Sequence, residues 1–566
     1  MSFDGPLLSM LSLCALLTSG ASLAATGASP DTAVSETASY PAPRFPAWLV
    51  SASDEELLAA ARSAVRQTSG RSPLGNIAPG ETVHVFLTAD QDPKVWDAIQ
   101  RAWGERGVKA VAVPGWEWSG MTREDYEARA ARNKMDGSSG WKEFGVFEQA
   151  YVRFLPQAVQ KEFADPMTTT AMMGGLDMRT TDKMAGLEHP KIGTNKLELF
   201  LDSRPDIQRF FAFAGGGPFV RRAIGARHAS KFRGNWIYFT RFDLQSHASA
   251  FPSDLWRLID EEIVRPISYI AEGTFRDPQG TRLHWLLTPE QSQIWEIESG
   301  LHSYAPGHLN ISPAGTHATW TEGVLAATGN HAAYYPQMIV HITEHGRVAS
   351  VQGGGKAGDL FRALLENPLL KDAKFPSSSE NGYWFLAQDG LGTNPKLVRN
   401  MDFLINGSIE MPNLSERDRA GIQHFSFASP VGPNPDPDPT TSKQDLAYAQ
   451  SLNLPISHTA HMHVYFGTAK WKLRDTGEWM TVLDRGRLAA FDNPEVRALA
   501  SRYGDPDVIF SYDWIPSLPG VNVPGNYDKD FAPDPWSWIK AEWSRILNGS
   551  YKYYVKNYDM FVHKSP

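Results

Sequence analysis

The chain has 566 residues, 42% hydrophobic and 21% charged, with a formal net charge of −9. That length predicts two or more domains with sizeable cores, and the acidic balance without any basic run excludes a general affinity for nucleic acid, which needs clustered Lys and Arg. The single cysteine, Cys14, lies in an N-terminal segment that reads as cleaved, so the mature chain has no disulfide, thiolate ligand or Cys nucleophile.

Residues Leu7 to Leu17 form an apolar run too short to span a bilayer, followed by small residues that place a cut after Ala24 or Ala25. Residues 1–25 read as a secretory signal peptide, although Asp4 precedes the run and no Lys or Arg does. The expected location is periplasmic or secreted. No other segment is long and apolar enough to cross a membrane. Residues 26–45 are small, polar and Pro-containing and read as a linker.

An α/β domain is expected over 46–295. It opens on a helical pattern, DEELLAAARSAVRQT, with Asp54 near the N-cap. VHVFLTA, DPKVWDAIQRAWGERG and VKAVAVPG then read as strand, helix and strand, with Pro93 in the first turn and Gly107 just past the helix end. Such a unit implies parallel strands. Residues 115–200 form an irregular insertion with a Met-rich patch from Met167 to Met184, read as gap-filling. GNWIYFTRF and SDLWRLIDEEIVRPISYI give a further strand and helix. From about residue 280 the segments RLHWLLT, QMIVHIT, RVASVQG, GIQHFSFAS and AHMHVYFG alternate apolar and polar residues, with turns ending at Gly280 and Gly346. These predict a β-rich, metal-binding domain over 296–500, interrupted by a Pro/Asp-rich loop at 428–443. Residues 501–566 form an aromatic, Pro-rich extension that packs on the body. The 18 tryptophans suit core and interface packing first, and pocket walls second.

Two glycine runs, AGGGPF (214–219) and QGGGKAG, mimic phosphate loops. The first lacks the fingerprint spacing, and in the second Lys356 is followed by Ala357 where Ser or Thr would hold magnesium. Both read as turns. The histidines carry more. On an extended strand His461 and His463 share a face, and His424 lies in a second β segment across the Pro-rich loop. Three imidazoles that leave coordination positions open suit a catalytic zinc or a non-haem iron. His458, three residues before His461, faces the other way and reads as a supporting donor or a surface residue.

The blocks NIAPGETVHVFLTADQDPKVWDAIQRAWGERGVKAVAV, DPQGTRLHWLL, HLNISPAGTHATWTEGVLAATG, LAQDGLGTNPK, DRAGIQHFSF and ISHTAHMHVYFG, in this order, resemble the aminopeptidase T/S-type metallopeptidase superfamily. The pattern is nearer in its metal site to that superfamily's oxidative relative, the 2,5-dihydroxypyridine 5,6-dioxygenases. The resemblance implies a metal held by His424, His461 and, in place of an aspartate, His463. It sets Thr316 and Gln388 where the peptidases carry glutamate ligands, which disfavours a paired-metal cluster. The implied protein is a mononuclear Fe(II) oxygenase opening an aromatic or electron-rich ring with O2, with zinc or another divalent ion as the alternative metal and a homodimer as the assembly. His458 and His317 are candidates for acid/base work. Trp320, Trp384 and Tyr465 are candidate pocket walls, or core. A metal-dependent aminopeptidase-like hydrolase, with Asp389, Glu322 or Asp402 as substitute ligands, is the second reading. A non-catalytic binding protein on this scaffold is the third.

Overall fold

The computed structural model describes residues 53–68, 73–87, 91–118, 122–132, 156–157, 196–213, 227–236, 244, 253–301, 307–310, 320–329, 334–395, 419–430, 443–454, 460–511, 519–521 and 524–535. All of these belong to the unit Ser39–Pro566, which is separate from Met1–Ala38. The signal-peptide segment, the linker, the Met-rich patch and the 214–219 glycine run lie outside the described residues.

Capping chemistry fixes the first elements. Ser53, one residue before Asp54, caps the helix Asp54–Ala64: its hydroxyl accepts the Glu56 amide at 3.2 Å, and the Glu56 carboxylate accepts the Ser53 amide at 2.9 Å. The helix Pro93–Glu105 starts on Asp92, whose carboxylate accepts the Lys94 amide, with Pro93 in its first turn. It ends before Gly107, at φ 74°, where a left-handed residue turns the chain into the next strand. That helix crosses between β1 (Thr82–Leu87) and β2 (Lys109–Pro114), which pair in parallel from Thr82↔Lys109 to Leu87↔Pro114. With β3 (Phe210–Phe213) and β4 (Phe232–Trp236) they form a four-stranded parallel sheet in the order β2-β1-β3-β4. Trp103 fastens the helix to this sheet. Its indole N–H donates to the Leu74 carbonyl at 3.0 Å, and its ring stacks on Phe211.

The second sheet has twelve strands: β5 (Ile270–Arg276), β6 (Arg282–Leu286), β7 (His308–Asn310), β8 (Trp320–Gly329), β9 (Tyr334–Ile342), β10 (Val348–Gly353), β11 (Phe385–Gly392), β12 (Ile422–Ala428), β13 (Ala460–Tyr465), β14 (Thr468–Leu473), β15 (Trp479–Asp484) and β16 (Arg487–Leu488). Its pairings are antiparallel, in the order β16-β15-β14-β5-β6-β8-β13-β12-β11-β7, with β9 on β8 and β10 on β9. The fold is therefore mixed α/β, with one parallel sheet and one antiparallel sheet. Each sheet has its own apolar core: Val83, Val85, Trp103 and Phe211 in the first, Phe275, Trp285, Phe425 and Val464 in the second.

Two sequence features resolve locally. The run QGGGKAG forms the turn between β10 and the helix Gly355–Leu365. Gly353, Gly354 and Gly355 take φ of 66°, 77° and 53°, and a Cβ on Gly353 would fall 2.2 Å from the Gln337 carbonyl oxygen. The described part of the C-terminal extension packs on the body: the Tyr527 hydroxyl donates to the Phe466 carbonyl at 2.7 Å, and Phe531 meets the Phe466 ring edge-on. Among the described residues no helix is long and apolar enough to cross a membrane.

Because Trp103 contributes both packing and a buried hydrogen bond, Trp103→Ala is expected to lower stability by about 3–5 kcal/mol. Urea denaturation followed by circular dichroism measures it, and a loss below about 1 kcal/mol would show that another contact holds this helix to its sheet.

Candidate metal centre

Cross-strand register gathers the histidines. Antiparallel pairing of β12 with β13 sets His424 opposite His463 and Ser426 opposite His461, so all three imidazoles emerge on one face. The opposite face carries Phe425, Phe427, Met462 and Val464, all buried in the core of the sheet. Slipping the register by one residue would exchange the two faces, at roughly 1.5–3 kcal/mol for each large apolar side chain exposed. The histidine face is thus set by burial of its apolar reverse.

β11 pairs with β12 on its other edge, placing Gly390 opposite His424. A Cβ at Gly390 would fall 1.9 Å from His424 Cε1 and 2.5 Å from Nε2, so the ring lies across the β11 backbone where a side chain would stand. Beyond β11 is β7, with His308 opposite Gly392. The His308 and His424 rings stack with centroids 4.9 Å apart and planes 26° from parallel. The GLGTNP segment ties these strands together: the Thr393 amide donates to the Gly307 carbonyl, and the Ala420 amide to that of Asn394. Thr393 and Asn394 are wholly buried.

Of the predicted residues, the structure brings together His424, His461 and His463. The His424 ring is 5.8 Å from that of His461 and 6.1 Å from that of His463. His424 and His463 are buried and His461 is half-buried. Imidazoles bound side by side to one ion stand about 5 Å apart, given metal–nitrogen bonds of about 2.1 Å. The two spacings are wider than that, and among the described residues no group of three or more His, Cys, Asp or Glu side chains is placed to hold a metal ion. In donor identity and in the face they share, the imidazoles are of the kind that divalent transition metals take; in spacing they do not form a ligating set. His317, His458, Thr316 and Asp402 lie outside the described residues, and of Gln388 only the backbone is described.

Other candidates separate. Asp389 sits on the reverse face: it pairs with Phe425, and its carboxylate accepts the Gln423 side-chain amide at 3.2 and 3.3 Å. Burial holds its pKa well above the ordinary carboxylate range. Glu322 is exposed on β8, opposite His284. Trp384 is core, packed edge-on against Phe361 and Tyr383, whereas Tyr465 shares the histidine face with its ring 6.4 Å from that of His463. Trp320 is half-buried on β8. A cleft of about 320 Å3 lined by Glu262, Arg265, Tyr269, Leu473 and Met480 lies beside the β14–β15 hairpin, away from these residues. His308 escapes the sequence pattern. Its only signal is the short H-L-N alternation at the head of the block HLNISPAGTHATWTEGVLAATG.

Comparison with known proteins adds little. No protein-family model matches the chain, and no curated protein matches it, so the aminopeptidase resemblance gains no support there. Among solved structures, the 2,5-dihydroxypyridine dioxygenase from Pseudomonas putida KT2440 aligns over 79% of this chain and 100% of its own, at 12% identity and a TM-score of 0.36. A likeness at that score carries no argument about this chain.

Asp389 gives a pH-dependent expectation. Its folded pKa is raised, so its contribution to stability is full below the unfolded value near 3.8 and declines as pH rises from there. Asp389→Asn keeps an acceptor for Gln423 and removes the ionisable group. The variant should match the wild type near pH 4 and gain on it towards about pH 8. Denaturation midpoints at both pH values test this, and a variant weaker at the higher pH would show that the carboxylate is ionised in the fold.

Proposed function

We propose that the protein is a metal-dependent, ring-opening dioxygenase that uses Fe(II) and acts outside the cytoplasm on an aromatic or similarly electron-rich small molecule. His424, His461 and His463 would hold the ion. The observation that supports this reading is that imidazoles gather on one face of β12 and β13 while the only carboxylate of β7, β11, β12 and β13, Asp389, faces the other way. A two-metal hydrolase needs bridging carboxylates to neutralise two dications, and these strands offer none on that face. The location rests on the signal-peptide reading of residues 1–25.

Held by these residues, iron(II) would supply open coordination positions for an electron-rich ring and O2. The reaction closes without a reductant: one ring carbon–carbon bond breaks and both oxygen atoms enter the product. The chain's residues do the rest. Buried His424 and His463 would keep bulk water from their side of the ion, and His461 is half-buried. Tyr465, beside His463, presents a phenol to the same face. Proton transfer is assigned to His458 or His317.

Untagged protein should carry one equivalent of iron and consume O2 with catechol-type or hydroxypyridine-type substrates, and His424→Ala should lose both properties. Two equivalents of zinc or cobalt with amide hydrolysis would overturn the proposal. So would a metal-free protein indifferent to His424→Ala.

A further inference from the structure

We infer that the segment Asn526–Phe531 is a clasp: it locks the corner at which the antiparallel sheet curls back on itself, and its release opens that corner without unfolding the sheet. The corner is the two-residue link Phe466–Gly467, between β13 and β14. In the sheet these strands stand four steps apart, through β5, β6 and β8, which is about 19 Å along a flat sheet. Two linking residues span at most about 11 Å. The sheet must therefore curl, and inside the curl Phe275 of β5 meets Phe425 of β12, with ring centroids 5.5 Å apart. Gly467 fits the corner because it lacks a side chain: a Cβ there would fall 2.2 Å from the Phe275 ring.

The corner is strained. Of the three described non-glycine residues with positive φ, Asn453, Phe466 and Arg485, the last two lie here, at 59° and 52°. Such a backbone is costly for a large side chain and persists where the surroundings over-determine it. Arg485 turns the chain from β15 to β16, and that turn is bonded to the first. The Gly486 amide donates to the Gly467 carbonyl at 2.8 Å, and the Arg485 amide to the Thr468 hydroxyl at 3.2 Å. The clasp grips both strained residues. The Tyr527 hydroxyl donates to the Phe466 carbonyl, and Phe531 meets the Phe466 ring edge-on at 5.6 Å. The Arg485 guanidinium lies over the Tyr527 ring at 5.5 Å and pairs with Asp528 at 3.0 Å. Two left-handed residues cost about as much as one buried hydrogen bond, one aromatic pair and one cation–π contact return. The corner is thus held shut by a segment that follows Phe466 by 61 residues, and losing that segment leaves both turns free to relax.

Hydrogen exchange of the full chain, read by mass spectrometry, tests the clasp. Tyr527→Phe keeps the ring and removes the bond to Phe466, and Phe531→Leu keeps an apolar side chain and removes the edge contact. Each is expected to speed exchange about 3- to 10-fold over residues 464–469 and 483–488. Residues 82–87 of the parallel sheet and 422–428 of β12 should keep wild-type rates. Faster exchange confined to residues 519–535 would overturn the inference, because the segment would then only rest on the corner. An equal rise over the whole antiparallel sheet, or no change over 464–469, overturns it as well. Tyr527→Phe decides the question by itself where Phe531→Leu folds poorly.

Discussion

The register that sets His424 opposite His463 is a by-product of burying Phe425, Phe427, Met462 and Val464 on the other side of the same two strands. Apolar burial on the reverse face offers several kcal/mol against a one-residue slip. The histidines have no comparable means of choosing their own face. Gly390, His308 and the GLGTNP turn follow from this register, since β11 and β7 add to the edge that β12 offers.

Electrostatics then separates the two faces of one strand. Gly390 and Asp389 are adjacent, yet one lies beneath an imidazole and the other is sealed in apolar surroundings with Gln423. A carboxyl group in that setting lowers its free energy by keeping its proton. The acid nearest in sequence to the histidine face is therefore a poor anionic ligand, both by direction and by charge state. A face that carries imidazoles and no carboxylate follows from strand alternation.

Much of the framework is legible in the sequence because local rules decide it. Asp92, Pro93 and Gly107 punctuate a helix whose apolar stripe, including Ile99 and Trp103, is buried as its period implies. The alternating segments around Leu283, Val340, Val351, Phe425 and Met462 form β6, β9, β10, β12 and β13. β11 is hidden because FLAQDGLG contains the residues of a turn, and its Asp and Gly are tolerated only because neighbouring strands cover both edges. His424, His461 and His463 stand out by spacing and resemblance. His308 does not, since a three-residue strand has too little periodicity to place it, and its contact with His424 depends on an absent Cβ two residues from its own register partner. A missing atom leaves no pattern to read.

All seven residues of β12 are buried, and the strand is bonded along both edges. Its amides have no low-energy route to solvent, so among the described residues they are expected to exchange hydrogen slowly, through large-scale opening of the sheet. The imidazole of His424 is carried by that cooperative unit and not by a loop that breathes. The histidine face and the antiparallel sheet are thus lost together, and a core lesion in the sheet raises the fraction of molecules without that face by the factor with which it raises unfolding.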